Sequence, residues 1–126
     1  MRTALLIGLA SAAGGLLRYG ATLAAARLLG PQFPWGTLAV NALGCLLIGL
    51  VNQLGIEARV LPDAVRLPVT VGLLGGFTTF SSFGWESLRL LEAGRWAAAA
   101  ANVVGSVLLG LLLVWLGTRL GRYLVS

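Results

Sequence analysis

Gly72-Leu73-Leu74-Gly75-Gly76-Phe77-Thr78-Thr79-Phe80-Ser81-Ser82-Phe83-Gly84-Trp85-Glu86 interrupts a hydrophobic run with two adjacent glycines. Four hydroxyl side chains and three phenylalanines then follow within seven residues. In a soluble protein such a stretch reads as a loop. The chain around it rules that out: of 126 residues, 58% are hydrophobic and 10% charged, and the mean hydropathy is +0.92. Soluble domains carry about 25% charged residues. A chain so poor in charge cannot cover its own surface with polar groups, so lipid is its solvent and the polar stretch lies inside a membrane span.

A glycine pair followed by Phe77, Thr78 and Thr79 makes a poor continuous helix. Glycine costs up to about 1 kcal/mol per position against alanine, and threonine is β-branched. A break in mid-membrane frees backbone groups that hydrocarbon cannot satisfy. Broken helices therefore survive only when buried in protein or lining an aqueous cavity, where their carbonyls can coordinate a cation. The competing reading is a flexible but continuous helix whose hydroxyls bond the preceding turn. The combination of glycines with the polar and aromatic cluster favours the break. Phe77, Phe80 and Ser81, and likewise Phe80 and Phe83, share neighbouring helical faces. Ring edges are electropositive, so rings presented edge-on beside Asn41 and Ser81 suit a small dehydrated anion without a fixed charge that would hold it too tightly. Glu86 reads as a partner for Arg89 at i+3, as an interfacial charge, or as a buried structural group near such a path.

Working outward, hydrophobicity marks four spans at about 3–26, 36–54, 67–91 and 96–116, each near the roughly 20 residues a bilayer requires. The expected fold is a single all-α, four-span transmembrane domain over 1–126, its third helix broken at mid-membrane. Arg18 is the anomaly of the first span. Its guanidinium either snorkels to the interface or forms an electropositive vestibule. Gly30-Pro31-Gln32-Phe33-Pro34 is a fixed turn, followed by Trp35 as an interfacial aromatic. In the second span Thr37, Asn41, Gly44, Cys45, Ile48 and Asn52 lie along one face. The amide of Asn41 is either interhelical glue or a donor on a polar path. Residues 55–66 form a charged surface loop in which Asp63, after Pro62, is placed to cap the next helix. Asn102, Ser106 and Gly110 make a stripe along the fourth span, which Val114 interrupts.

Four spans put both termini on one side. That side carries Arg2, Arg59, Arg66, Arg119 and Arg122, against Arg27, Arg89 and Arg95 opposite, with Arg18 left out as intramembrane. So small a bias under the positive-inside rule allows insertion in both orientations, and opposed copies can pair as an antiparallel homodimer. The small size of the chain also calls for an oligomer to enclose a path. The net charge of +5 comes from nine scattered arginines, with no basic run, which argues against nucleic acid. Without histidine, and with Cys45 as the lone cysteine, there is no disulfide within the chain, no cysteine metal cluster and no nucleophile–base pair, so no enzyme is expected. Arg2, the apolar run 4–10 and Ala10-Ser11-Ala12 mimic a secretory signal, but the apolar character continues past the cleavage-like site. A small dual-topology proton-coupled drug exporter is the alternative function. It needs an intramembrane acid, and only Glu86, near one span end, is available. A non-transporting scaffold leaves the costly polar break unexplained.

Gly14-Gly15-Leu16-Leu17-Arg18-Tyr19, Gly36-Thr37-Leu38-Ala39-Val40-Asn41-Ala42-Leu43-Gly44, and Gly75-Gly76-Phe77-Thr78-Thr79-Phe80-Ser81-Ser82-Phe83 with Glu86 resemble the motifs of the Fluc (CrcB) fluoride channels. The resemblance covers essentially the whole chain. It implies an antiparallel, dual-topology homodimer in the cell inner membrane or plasma membrane, exporting fluoride passively through two pores. It implies a central structural sodium ion held by the backbone carbonyls of Gly75 and Thr78. It also implies a fluoride path along Asn41, Phe80, Ser81, Phe83, Asn102 and Ser106, with Arg18 in the vestibule. Gly110 and Val114 depart from the family's hydroxyl track.

Overall fold

The computed structural model describes residues 1–126, and the chain is helical with no strands. Helix α1 (Arg2–Leu29) ends where Gly30 takes a φ of 81°, a left-handed conformation that glycine adopts without cost. The proline turn delivers the chain to α2 (Trp35–Asn52), which runs on through a π-helical turn, Gln53–Glu57. After the charged loop, α3 (Asp63–Leu67), a π-helical segment Pro68–Leu74 and α4 (Gly75–Phe77) form one rod. The wider turn begins at Pro68, which has no N–H for the regular i→i−4 bond. Thr78 and Thr79 are extended, and α5 (Phe80–Glu92) then resumes. Gly94, at φ 72°, turns the chain into α6 (Trp96–Val125).

Three helices, Arg2–Leu29, Trp35–Glu57 and Trp96–Val125, are long and apolar enough to cross a membrane. Between the second and third of these lies the broken segment, 63–77 and Phe80–Glu92, neither half of which is long enough to cross alone. Burial is inverted relative to a soluble domain. The buried apolar residues are Val40, Leu74, Leu90 and Ala99, whereas Thr37, Gln53, Thr70, Thr79, Ser87 and Asn102 are buried polar residues. Leucines and valines along α1 and α6 face outward, as lipid allows. Helix association must then come from small residues that let backbones approach. A β-carbon at Gly117 would meet the carbonyl of Leu46, and one at Gly49 the carbonyl of Val114, which locks α2 on α6. A β-carbon at Gly76 would meet the carbonyl of Ser11, and one at Gly14 that of Leu73, which locks α1 on the rod.

Two local expectations are corrected. The glycine pair does not break the helix. Gly75 is helical at φ −61° and ψ −39°, and the chain departs only at Thr78 (φ −90°, ψ 159°) and Thr79 (φ −153°, ψ 116°). The β-branched threonines tolerate extended backbone, and Thr79 gains a cap by it. Asp63 makes no capping bond. It is the first residue of α3 and pairs with Arg66 at 2.9 Å.

Candidate functional site

The break is built from side chains that replace helical hydrogen bonds. Thr79 N–H donates to Asn41 Oδ1 at 2.7 Å, and Asn41 Nδ2 donates to the Thr79 carbonyl at 2.9 Å. Only one orientation of the amide satisfies both bonds. Asn41 thus joins α2 to the break as interhelical glue, with one Nδ2 proton left over. Thr79 Oγ1 accepts from Ser82 N–H at 3.1 Å, the N-cap bond that restarts the helix. The same hydroxyl lies 3.1 Å from Ser82 Oγ and 3.3 Å from Ser81 Oγ. Thr78 Oγ1 back-bonds to the Leu74 carbonyl at 2.9 Å, so the threonine behaviour expected of a merely flexible helix occurs at this one residue. The γ-methyl of Thr78 occupies the space a β-carbon at Gly44 would need.

In a continuous helix Thr79 N–H would bond the Gly75 carbonyl, and Ser82 N–H that of Thr78. Both donors are turned elsewhere, and the carbonyls of Gly75 and Thr78 receive neither bond. Both residues line an open cavity of about 370 Å³ together with Asn41, Gly44, Cys45, Phe80, Phe83 and Ser106. Six of the residues singled out in the sequence therefore meet in one place: Asn41, Gly75, Thr78, Phe80, Phe83 and Ser106. The rings of Phe80 and Phe83 lie 5.6 Å apart with planes tilted by 41°. Phe80 is 84% exposed, standing on the outer face of the bundle.

Asn102, Ser81 and Arg18 lie outside that cavity. Asn102 is 1% exposed and sits at the centre of a ladder. Ser106 Oγ approaches Asn102 Oδ1 at 3.5 Å, Asn102 Nδ2 donates to Ser87 Oγ at 2.9 Å, and Ser87 Oγ donates to the Phe83 carbonyl at 2.7 Å. Ser81 is exposed and bonded only through Thr79. Arg18 is half-buried and lies one turn from Thr22 on the same face of α1. Thr22 borders a second cavity of about 360 Å³ that also takes in Gln32, Trp85, Glu86, Arg89 and Arg95. There Arg95 donates to the Gln32 carbonyl and Arg89 pairs with Glu92 at 2.8 Å.

Glu86 is not the partner of Arg89. It accepts from Thr37 Oγ1 at 2.8 Å, and its other oxygen is buried without a hydrogen bond. Thr37, Thr79 and Ser87 were missed as site residues. Thr37 shares the Asn41 stripe of α2, and Ser87 follows Phe83 by one turn, so their spacing held a signal. Nothing in the sequence marked Thr79 above its neighbours.

The family described as CrcB-like protein, Camphor Resistance (CrcB), matches residues 5–118. A protein of Chloroflexus aurantiacus named fluoride-specific ion channel FluC is 49% identical over 123 residues, covering 98% of each chain. Proteins of the same name from Thermus thermophilus and Pelobacter propionicus are 50% and 44% identical over 126 residues, covering 100% of this chain and 100% and 98% of their own.

Proposed function

The chain belongs to the CrcB family, and on that premise we propose that it is a fluoride-selective channel that lets cytoplasmic fluoride leave passively across the membrane. The family is one of ion channels rather than enzymes, and several apolar helices fit a multi-pass membrane protein. The observation that carries the reading is the joining of Asn41, Phe80, Phe83 and Ser106 around one cavity with no ionised side chain in its wall. The free amide proton of Asn41 and the aromatic edges supply the positive ends of dipoles, which replace part of an anion's hydration without a fixed charge to trap it.

The path runs from the Phe80–Phe83 pair along Ser106 and Asn102, with Ser81 beside the break. Its free donor is the remaining Nδ2 proton of Asn41. The Ser106 hydroxyl points its proton at Asn102 Oδ1 at 3.5 Å and serves the path by turning that proton toward the ion. The mouth is the cavity bordered by Arg89, Arg95 and Glu86. Glu92 pairs with Arg89, so Arg95 and Arg18, one turn further along α1, carry the positive potential that gathers anions there. Cavity and Phe80 both open outward, so one copy of the chain supplies one wall. A second, oppositely inserted copy supplies the other, which makes an antiparallel homodimer with two pores.

The break fits a structural sodium ion. The carbonyls of Gly75 and Thr78 lack their helical partners and border the same open side. Uncharged carbonyl oxygens suit a monovalent cation such as sodium, and two copies about a twofold axis provide four oxygens. If bound there, a monovalent cation would supply positive charge to balance the partial negative charge of the Gly75 and Thr78 carbonyl oxygens.

Purified protein in liposomes tests the path. Ser106→Ala and Phe83→Ala are expected to slow fluoride release by about tenfold, the size of effect one lost polar or aromatic contact supports. Wild-type rates in both variants would contradict the path.

A further inference from the structure

Asn41 and Thr79 make three hydrogen bonds to backbone groups of residues 79 and 82, and the identity of those groups is informative. A helix running straight from α4 into α5 would direct Thr79 N–H onto the Gly75 carbonyl and Ser82 N–H onto the Thr78 carbonyl. These are the two donors that the side chains capture. Asn41 Oδ1 takes the first at 2.7 Å, and Thr79 Oγ1 takes the second at 3.1 Å. The Thr79 carbonyl, which also lies in the extended segment, is occupied in turn by Asn41 Nδ2. The extended backbone at Thr78 and Thr79 also separates the Gly76 and Phe77 carbonyls from their helical donors. Gly75 and Thr78 stand apart because the donors they lose are held by two particular side chains and because both residues line the cavity. The glycine pair is helical and does not free these carbonyls.

We infer that Asn41 and Thr79 are positioning residues for a cation site. By diverting two backbone donors they keep the Gly75 and Thr78 carbonyls unpaired and facing the cavity. Asn41 thereby serves both halves of the molecule's task, because its amide holds the cation-binding backbone on one side and presents its remaining proton to the anion path on the other. Phe80 starts α5 immediately after Thr79, so the capping bond that frees the Thr78 carbonyl also fixes where the aromatic wall begins. The inference rests on reading the break as a cation site. It adds that the affinity of the site is set by side chains that do not touch the ion.

Thr79 offers a conservative pair. Thr79→Val keeps the shape and removes the hydroxyl acceptor, which releases Ser82 N–H to the Thr78 carbonyl. Thr79→Ser restores the acceptor. The full chain is titrated with sodium at constant ionic strength and its melting temperature is read, since a ligand bound only by the folded state raises it. Fluoride release is recorded from liposomes of the same preparations. Wild type is expected to gain stability with sodium. Thr79→Val should need about tenfold more sodium for half the gain, the scale of one competing hydrogen bond. Thr79→Ser should stay within about threefold of wild type. Asn41→Ala frees the other donor and should shift in the same direction as Thr79→Val. It decides the matter if Thr79→Val does not fold. A sodium response unchanged in Thr79→Val, or lost equally in Thr79→Ser, would overturn the inference. Absence of any sodium response in wild type would overturn it together with the cation site, and the fluoride trace would then report separately on the channel.

Discussion

Asn41 shows how one side chain is read differently before and after its partners are known. Its helical stripe placed it on a polar face of α2, and both readings of it, glue and pathway donor, find a proton in the structure. One Nδ2 proton and Oδ1 hold the Thr79 peptide, and the other proton remains beside the cavity. An aspartate at this position would keep the acceptor for Thr79 N–H but set a second oxygen against the Thr79 carbonyl. It would also bring negative charge into an anion path. Asn41→Asp is therefore expected to lower fluoride release by at least about tenfold, by loss of a hydrogen bond and by repulsion. Unaltered release in liposomes would remove Asn41 from the path. The role of Thr79 was not legible because a threonine between Thr78 and Phe80 has no distinguishing neighbour in sequence. Its importance arises from a dihedral pair and from the donor it meets three residues later.

At the scale of the element, hydropathy pointed to four spans, and three helices, Arg2–Leu29, Trp35–Glu57 and Trp96–Val125, are long and apolar enough to cross a membrane. The location of the break did not follow. Two adjacent glycines are weak helix formers in the middle of the third span, and local propensity put the fault there. The folded chain uses one of them for proximity instead: Gly76 lies against the backbone of α1, whereas a β-carbon at Gly75 would make only an ordinary contact with the Thr70 carbonyl oxygen, at 3.8 Å. Tertiary packing thus supports helical glycine, and the fault moves to the threonines, where Asn41 and a capping hydroxyl can satisfy the exposed backbone. The π-helical stretch after Pro68 was equally hidden, since hydrophobic period does not separate it from an ordinary turn. The two glycines should accordingly answer differently to a methyl group. Gly76→Ala forces α1 away and should cost about 1–3 kcal/mol, as overpacking does. Gly75→Ala should leave the helix as stable or slightly more so. Thermal unfolding of the two variants in detergent measures this, and equal losses would contradict the division of roles.

For the whole molecule, the inverted distribution of side chains is the governing fact. Polar groups gather inside around the break and the Asn102 ladder, apolar groups face lipid, and the cavity with Phe80 lies open on one side. That arrangement accounts for a pathway walled on one side only, and for the proposal that a second, inverted copy closes it. The near balance of arginines, five against three, makes orientation sensitive to few charges. Adding two lysines at the terminus side should lock one orientation and abolish fluoride release, and adding two to the opposite loops should lock the other. Mixing the two locked forms should restore release. Full activity of either locked form alone would rule out the antiparallel dimer. The central claim, that this chain conducts fluoride selectively, is tested most directly by an electrode trace from proteoliposomes loaded with equal fluoride and chloride. The expected result is rapid fluoride release with little chloride release when the membrane potential is collapsed. Release of both anions at similar rates, or of neither, would contradict it.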